Sequence, residues 1–307
     1  MEVKTTMLDR ERLQKDERLL RAVTGLDDKR FEALLPSFET ALLEAGTPRR
    51  SAQPRQRKVG GGRKPHLRSV EEQLIYILFY FKCYPTFDLA GLLFGLDRSQ
   101  ANRWMHRLQP ILEAALGRKM ALPERKLSSI EEFVEQFPEV KRVMVDGTER
   151  GIQRAQDREK QRENYSGKKK RHTRTHLAMV SEEKRVLVMS PAYPGKTHDK
   201  GVWNQEQWAK GIPKEVEIQA DAGFQGIAKE HPKTRTPHKK PRGGELSEEQ
   251  KEENHALARE RVVCEHAFAG VKRYGIVCQV YRNRVADFDD RSMVTAAGLW
   301  NFYLMAA

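Results

Sequence analysis

The sequence has few of the features that mark membrane, secreted or cysteine-rich proteins. It contains three cysteines (Cys83, Cys264 and Cys278) and no C-x-x-C pair, which argues against a disulfide framework or a cysteine-rich zinc site and fits a reducing cytosol. The longest apolar run, Leu74–Phe81, is far too short to span a bilayer. Charges from Glu2 to Arg21 leave no room for a signal peptide. We therefore expect a cytoplasmic protein without a membrane partner.

Acidic residues are scarce relative to basic ones. The 307 residues include 56 Lys and Arg against 43 Asp and Glu, which gives a net charge of +13. Such an excess indicates a polyanionic partner, most often nucleic acid, although a merely soluble basic protein is the alternative. The length is sufficient for two domains and at least one sizeable core.

An N-terminal helical segment, residues 1–48, is followed by a basic arm at residues 49–68. The arm has no acid, no hydrophobic period and a central Gly60–Gly62 run, so it is predicted to be a linker that lies along phosphates or enters a minor groove. A solvated linker is the alternative. The candidate DNA contacts in the arm are Arg57, Lys58, Arg63 and Lys64.

Residues 69–125 are predicted to form a helix-turn-helix DNA-binding domain. Ser69 and Glu72 have the spacing of a capping box before an apolar helix. A short helix from Phe87 then meets a glycine turn at Gly95, and a further helix follows. An ordinary three-helix bundle with a polar face is the alternative. Four residues near the start of the last helix are of types that read bases or phosphates: Arg98, Gln100, Asn102 and Arg103.

Residues 138–307 alternate strand and helix patterns, which predicts an α/β domain. Two of its strands end on an aspartate with a glycine close behind. Asp146 follows the run Val143–Val145, and Asp221 follows a second strand. Acids at the carboxyl ends of central strands lie where α/β sheets place their sites. Paired carboxylates also suit phosphodiester cleavage by two divalent ions.

A third acid is expected from a helix over 257–274, and Glu265 is the candidate. A helical wheel places four residues on one face, which are Arg261, Glu265, Phe268 and Lys272. The opposite, apolar face is predicted to dock on the sheet through Val263, Ala267, Val271 and Tyr274. A solvated ion pair between Arg261 and Glu265 is the alternative. Asp199 is either another metal ligand or, more commonly for such an Asp, a helix cap.

These residues carry a resemblance to a known family. The matching pieces are Val145–Glu149, Tyr165–His172, Gly195–Asp199, Ala220–Phe224 and Arg261–Phe268. In order and separation they resemble the DDE transposases of bacterial insertion sequences, in particular the insertion-sequence-five family related to Harbinger transposases. Arg261, Glu265 and Lys272 match a tyrosine-arginine-glutamate-lysine signature of related enzymes. Ala258 stands in the place of the tyrosine, so this chain departs from the signature at that position.

The resemblance implies a ribonuclease-H-like catalytic domain, a mixed sheet flanked by helices, preceded by the all-helical DNA-binding region. It implies a cut-and-paste transposase that uses Mg²⁺ or Mn²⁺, two ions, bound by Asp146, Asp221 and Glu265. The partners would be double-stranded DNA, both terminal inverted repeats and target, with a homodimer or higher oligomer on the DNA in the bacterial nucleoid. Further DNA contacts are expected from Lys168, Lys169, Lys170, Arg171, Arg261 and Lys272. A domesticated, non-cleaving DNA-binding protein and a repair nuclease of the same fold are the alternatives.

Overall fold

The structure, a computed structural model, describes residues 7–8, 10–46 and 66–306. The chain divides into two compact units. The first is Met1–Leu122 together with Arg273–Ile276 and Phe302–Ala307, and the second is Pro123–Lys272 together with Val277–Asn301. The predicted DNA contacts of the basic arm, Arg57, Lys58, Arg63 and Lys64, lie outside the described residues.

Helices form the described part of the first unit. Their bounds are α1 (Arg10–Gln14), α2 (Glu17–Thr24), α3 (Asp28–Gly46), α4 (Val70–Cys83), α5 (Phe87–Phe94) and α6 (Arg98–Arg118). Helix α4 is buried along nearly its whole length, and its Tyr76 hydroxyl donates to the Ala101 carbonyl of α6 at 2.6 Å. The apolar α4 is therefore the centre around which the other helices pack.

Local side-chain chemistry fixes the ends of these helices. The predicted capping box is confirmed, because the Glu72 N–H donates to Ser69 Oγ at 3.0 Å and the Ser69 N–H donates to Glu72 Oε2 at 3.1 Å. Gly95, with a φ of 65°, ends α5. A Cβ on Gly91 would lie 2.6 Å from the Leu96 carbonyl oxygen, so only glycine permits this tight turn. The turn between α5 and α6 is thus the helix-turn-helix corner that the sequence predicts.

The second unit is a mixed α/β domain, so the predicted fold class is confirmed. Its strands are β1 (Arg142–Gly151), β2 (Tyr165–Ser166), β3 (Arg171–Ser181), β4 (Val186–Met189), β5 (Tyr193–Pro194), β6 (Glu217–Ala220) and β7 (Thr234–Arg235). Its helices are α7 (Ile130–Gln136), α8 (Arg158–Asn164), α9 (Asp199–Glu206), α10 (Glu248–Lys272), α11 (Gly275–Cys278) and α12 (Phe288–Met305). The first residues of α11 and the last residues of α12 are assigned to the first unit.

Strand β1 is the centre of the sheet, whose order is β2-β3-β1-β6-β7 with β4 and β5 also paired to β3. It pairs antiparallel with β3 and parallel with β6, and β6 pairs parallel with β7. The apolar run Val143–Val145 is fully or almost fully buried in this sheet. Trp203 and Trp208 are also buried in the core beside it. No helix among the described residues is long and apolar enough to cross a membrane.

Two helices of this unit differ from their sequence predictions. The helix expected to run through Trp203 and Trp208 ends at Glu206, because Gln207 adopts a left-handed conformation with a φ of 54°. Helix α10 begins at Glu248 rather than Leu257. Its first turn carries no apolar period, but Ser247 caps it and accepts from the Gln250 N–H at 3.2 Å.

The predicted docking face of α10 is confirmed in part, since Ala267, Val271 and Tyr274 are buried, but it differs in two places. Phe268 is buried rather than projecting with Glu265, and Val263 is only half-buried. The face that docks follows the spacing of Cys264, Phe268 and Val271, which are all buried. The helix is therefore rotated towards the sheet on the side of Cys264, the residue that precedes Glu265.

Candidate active site

The parallel pairing of β1 with β6 brings two of the predicted acids to the same edge. Val145 lies opposite Ala220 in the last pair of the parallel register, so the next residues, Asp146 and Asp221, follow side by side where β6 ends. The prediction that β1 also ends at Asp146 is wrong, because β1 stays paired with β3 as far as Gly151. Backbone N–H groups orient both carboxylates. Gly147 donates to Asp146 Oδ1 at 2.8 Å, and Gly223 donates to Asp221 Oδ1 at 2.7 Å.

Asp199 joins this pair from the start of α9. A Cβ on Gly147 would lie 2.1 Å from Asp199 Oδ1, so the carboxylate lies directly against the glycine that follows Asp146. The N-cap of α9 is His198, and its side chain makes no capping hydrogen bond. Asp199 is therefore not the helix cap that such an Asp commonly is. It is a third carboxylate at the edge that carries Asp146 and Asp221.

The electrostatics of this edge are those of crowded, half-buried acids. Burial and then the neighbouring Asp146 raise the pKa of Asp199 to about 6. Burial is also the main cause that raises the pKa of Asp146. Asp221 adds to this increase, while Arg261 and Lys168 oppose it. Like-charged groups that share a low-dielectric site disfavour ionisation of one another.

Helix α10 brings a cation to Asp146, because Arg261 Nη2 lies 3.7 Å from Asp146 Oδ2. One turn further along, burial raises the pKa of Cys264, and the charge of Asp146 raises it further. The predicted third acid on this helix, Glu265, has an exposed side chain. Among the described residues, no three Asp, Glu, His or Cys side chains converge tightly enough to qualify as a metal site.

A cavity of about 230 Å³ beside the acids is lined with cations. Lys272 lines it, and partial desolvation there, followed by the charge of Lys169, lowers the pKa of this lysine. The lining residues are Gly147, Glu149, Lys168, Lys169, Arg171, Asp199, Lys272, Val277 and Cys278. Three of the four residues predicted to contact DNA from the turn Lys168–Arg171 therefore line this cavity. The exception is Lys170, which is exposed and has a φ of 53°.

The predicted reading residues lie at the start of α6 in the first unit. Arg98, Asn102 and Arg103 line one groove with Phe87, Asp97 and Ser99. The Arg98 side chain is 76% exposed, 3.9 Å from Asp88. Gln100 is engaged differently, because its side-chain oxygen accepts from the Asp97 N–H at 3.1 Å as part of a capping box. This bond leaves its amide nitrogen as the group available to a base edge.

Comparisons with known proteins agree with these features. Residues 145–301 match the family described as DDE superfamily endonuclease, and residues 65–118 match the helix-turn-helix of DDE superfamily endonuclease. A relative from Microchaete diplosiphon, described as "Probable transposase for insertion sequence element IS702", is 32% identical over 250 residues. The match covers 81% of this chain and 86% of the relative. No solved structure matches the chain.

The chain therefore belongs to the DDE superfamily endonucleases, with a ribonuclease-H-like domain and a helix-turn-helix. Within that class it is a DDE transposase of an insertion sequence. Its membership of the insertion-sequence-five family stays a prediction. Endonucleases of this superfamily generally use divalent metal ions. The donor set at the edge of the sheet fits them, since hard divalent cations prefer carboxylate oxygens and would neutralise the crowded charge.

Proposed function

We propose that this transposase binds the terminal inverted repeats of its insertion sequence, cuts the DNA there and joins the freed ends to target DNA in a cut-and-paste reaction. The observation that carries the proposal is the register of β1 and β6, which sets Asp146 beside Asp221. Asp146, Asp221 and Glu265 would hold two divalent ions, Mg²⁺ or Mn²⁺. Those ions supply Lewis acidity, lowering the pKa of the attacking water or hydroxyl and stabilising the leaving oxygen.

The other residues of the second unit position the DNA strand. Arg261 and Lys272 on α10, with Lys168, Lys169, Lys170 and Arg171 of the preceding turn, contact phosphates near the acids. Their positive charge holds the strand so that the scissile phosphate faces the three carboxylates. In cleavage, water attacks the scissile phosphorus and the P–O3′ bond breaks, which leaves a 3′-hydroxyl at the element end and a 5′-phosphate on the flanking DNA. In strand transfer, that 3′-hydroxyl attacks a phosphodiester of the target, and the 3′-oxygen of the target strand leaves as a hydroxyl.

The first unit selects the site. Arg98, Asn102 and Arg103 contact base edges and phosphates in a major groove, and Gln100 adds its amide group. The arm residues Arg57, Lys58, Arg63 and Lys64 add contacts to phosphates. Two element ends require two such units, so the working form is a homodimer or higher oligomer on the DNA.

The test uses a plasmid that carries the DNA flanking the gene on both sides. We expect wild-type protein to cut this DNA with Mg²⁺ and to lose the activity with EDTA. Asp146→Asn and Glu265→Gln should bind the same DNA but cut at least about a hundredfold more slowly, because each removes a charged oxygen ligand. Equal cleavage by all three proteins would refute the assignment.

The same assay separates the proposal from its rivals. A binding protein that retains only the helix-turn-helix would bind the flanking DNA without magnesium and would not nick it at any protein concentration. A repair nuclease would cut without preference for the flanking ends. A plasmid with unrelated DNA in place of the flanks is the control for that preference.

A further inference from the structure

Glu260, one residue before Arg261 on α10, contacts residues that have no assigned role in the candidate active site. Its carboxylate accepts hydrogen bonds from the Gln219 side-chain amide and from Arg235 Nη1, the latter at 3.1 Å. It also lies 3.3 Å from Arg142 Nη1. These three partners belong to β6, β7 and β1. One carboxylate therefore connects α10 to three neighbouring strands of the sheet.

The partners of Glu260 are also joined to one another through Glu217 on β6. Its carboxylate oxygen lies 3.0 Å from Arg142 Nε and 3.4 Å from Arg235 Nη1, and it accepts from the Gln219 amide at 2.7 Å. Two guanidinium groups thus face two carboxylates. Gln219 is fully buried at the centre. We call these five residues, Arg142, Glu217, Gln219, Arg235 and Glu260, the clamp.

The clamp joins the same elements that carry the three acids. Arg142 begins β1, which leads to Asp146, and Gln219 precedes Asp221 at the end of β6. Arg142 also lies opposite Glu217 in the parallel register. Glu265 follows Glu260 after little more than one turn of α10. Because strands and helices are stiff over such lengths, fixing α10 at Glu260 also fixes where Glu265 lies relative to the strand ends.

We propose that Glu260 is a positioning residue that sets α10 on the sheet so that Glu265 meets Asp146 and Asp221. This inference rests on the proposed function of that triad. The apolar face of α10 packs on the protein core, but the contact of Arg261 with Asp146 is a single ion pair of 3.7 Å. The clamp adds directed bonds to three strands, and these define the rotation and the axial position of the helix more narrowly.

The contribution of these bonds to the stability of the fold is too small to explain the clamp. The four charged side chains of the clamp are between 26% and 41% exposed, and ion pairs at such positions stabilise a fold only modestly. Geometry at a reacting centre is more sensitive, since a displacement of about 1 Å can reduce a rate by roughly a hundredfold. Loss of Glu260 should therefore affect ion binding and cleavage more than it affects folding.

The test compares Glu260→Ala and Glu260→Gln with Glu252→Gln, a matched control at an exposed position of the same helix. The first measurement is the rise in Tm when Mn²⁺ is added to the full-length protein, which requires no catalysis. The second is cleavage of the plasmid with the flanking DNA, and the third is binding of that DNA in EDTA. Gln retains a hydrogen-bond acceptor and so should lie between Ala and the wild type.

We expect Glu260→Ala to bind the flanking DNA as the wild type does and to lose most of the Mn²⁺-induced rise in Tm. Its cleavage should fall about ten- to a hundredfold in kcat, whereas Glu252→Gln should match the wild type in all three measurements. If Glu260→Ala does not fold, Glu260→Gln decides, with a smaller loss in the same two measurements.

Two results would overturn the proposal in different ways. Wild-type protein that neither responds to Mn²⁺ nor cuts the plasmid would overturn the proposed function and the positioning role with it. Wild-type protein that does both, together with Glu260 variants that respond and cut equally well, would overturn the positioning role alone.

Discussion

Two clusters of charged residues lie on strands β1 and β6. One pairs opposite charges, and the other brings like charges together. At the amino ends of these strands, the clamp sets two guanidinium groups against two carboxylates. Burial opposes ionisation of Glu260, but the hydrogen bond from Gln219 and the charge of Arg235 outweigh it and lower the pKa of that carboxyl. Where β6 ends, beside the middle of β1, Asp146 and Asp221 lie with Asp199, and burial and Asp146 raise the pKa of Asp199 to about 6.

The difference separates charges that favour the fold from charges that oppose it. A group whose ionised form has partners in the folded protein stabilises the fold. Acids that lie close to one another destabilise it. Perturbed acids of the second kind collect at functional sites, where activity maintains an arrangement that stability alone would not. Removing a charge should therefore have opposite effects on stability in the two clusters.

The largest effect is expected from Gly147→Ala, which disturbs the crowded end without changing any charge. The new Cβ would lie 2.1 Å from Asp199 Oδ1, so either the carboxylate or β1 around Gly147 must move. We expect cleavage of the flanking DNA to fall about a hundredfold, in line with a displacement near 1 Å at a reacting centre. DNA binding in EDTA should not change.

Gly201→Ala is the matched control for this substitution. A Cβ there would meet only Thr197 Cγ2, at an ordinary 3.6 Å, and alanine is favoured over glycine within α9. We expect normal cleavage from this variant. Cleavage by Gly147→Ala at the wild-type rate would mean that the approach of Asp199 to β1 does not matter for activity.

The next effect is a gain in stability from Asp199→Asn in the metal-free protein. The substitution removes one like charge from the group of Asp146, Asp199 and Asp221. We expect the unfolding free energy in EDTA near neutral pH to rise by about 1 kcal/mol, which corresponds to a Tm increase of about 2–4 °C. Thermal unfolding followed by circular dichroism measures it.

Asp157→Asn is the control for this gain, because Asp157 caps α8 and accepts from the Lys160 N–H at 2.8 Å. Asparagine caps about as well as aspartate, so Tm should hardly change. A fall in Tm for Asp199→Asn would contradict the view that the acids at this edge oppose folding.

How much the sequence predicts depends on whether a feature is local. The capping box of Ser69 and Glu72 and the corner at Gly95 follow from neighbouring residues, and both were predicted correctly. The juxtaposition of Asp146 with Asp221 was predicted because a parallel sheet gathers strand ends at one edge. The strand that ends just before Asp221 was visible in the sequence, whereas the continuation of β1 past Asp146 to Gly151 was missed.

Features that depend on long-range packing were not predictable in the same way. The close approach of Asp199 to Gly147 joins two segments that are far apart in the sequence, and the sequence left Asp199 open between a metal ligand and a helix cap. The clamp assembles residues from four elements whose charges look like an ordinary solvated surface in the sequence. The rotation of α10 that buries Phe268 was missed because its helical pattern fits more than one face.

The smallest effect is expected at His176. It tests the part of the comparison that concerns charged groups with a partner. His176 is fully buried on β3, and its Nε2 lies 3.2 Å from Asp290 Oδ1. Burial lowers the pKa of this histidine, although Asp290 and Asp289 oppose the shift and Arg125 adds to it. The unfolded chain therefore takes up this proton at a higher pH than the folded one, so folding stability should decline as pH falls below about 6.5, by up to roughly 1.4 kcal/mol per pH unit.

His176→Gln keeps an amide near Asp290 but cannot titrate. We expect it to be less stable than the wild type at about pH 7.5, because the buried site loses its fitted ring, and the gap should narrow towards about pH 5.5 as only the wild type loses stability through this proton. Exposed His255→Gln should run parallel to the wild type over the same range. Urea unfolding at both pH values measures the gap. A constant gap would show that Asp290 offsets the effect of burial on the pKa of His176. This buried pair would then resemble the clamp, in which pairing favours the charged forms.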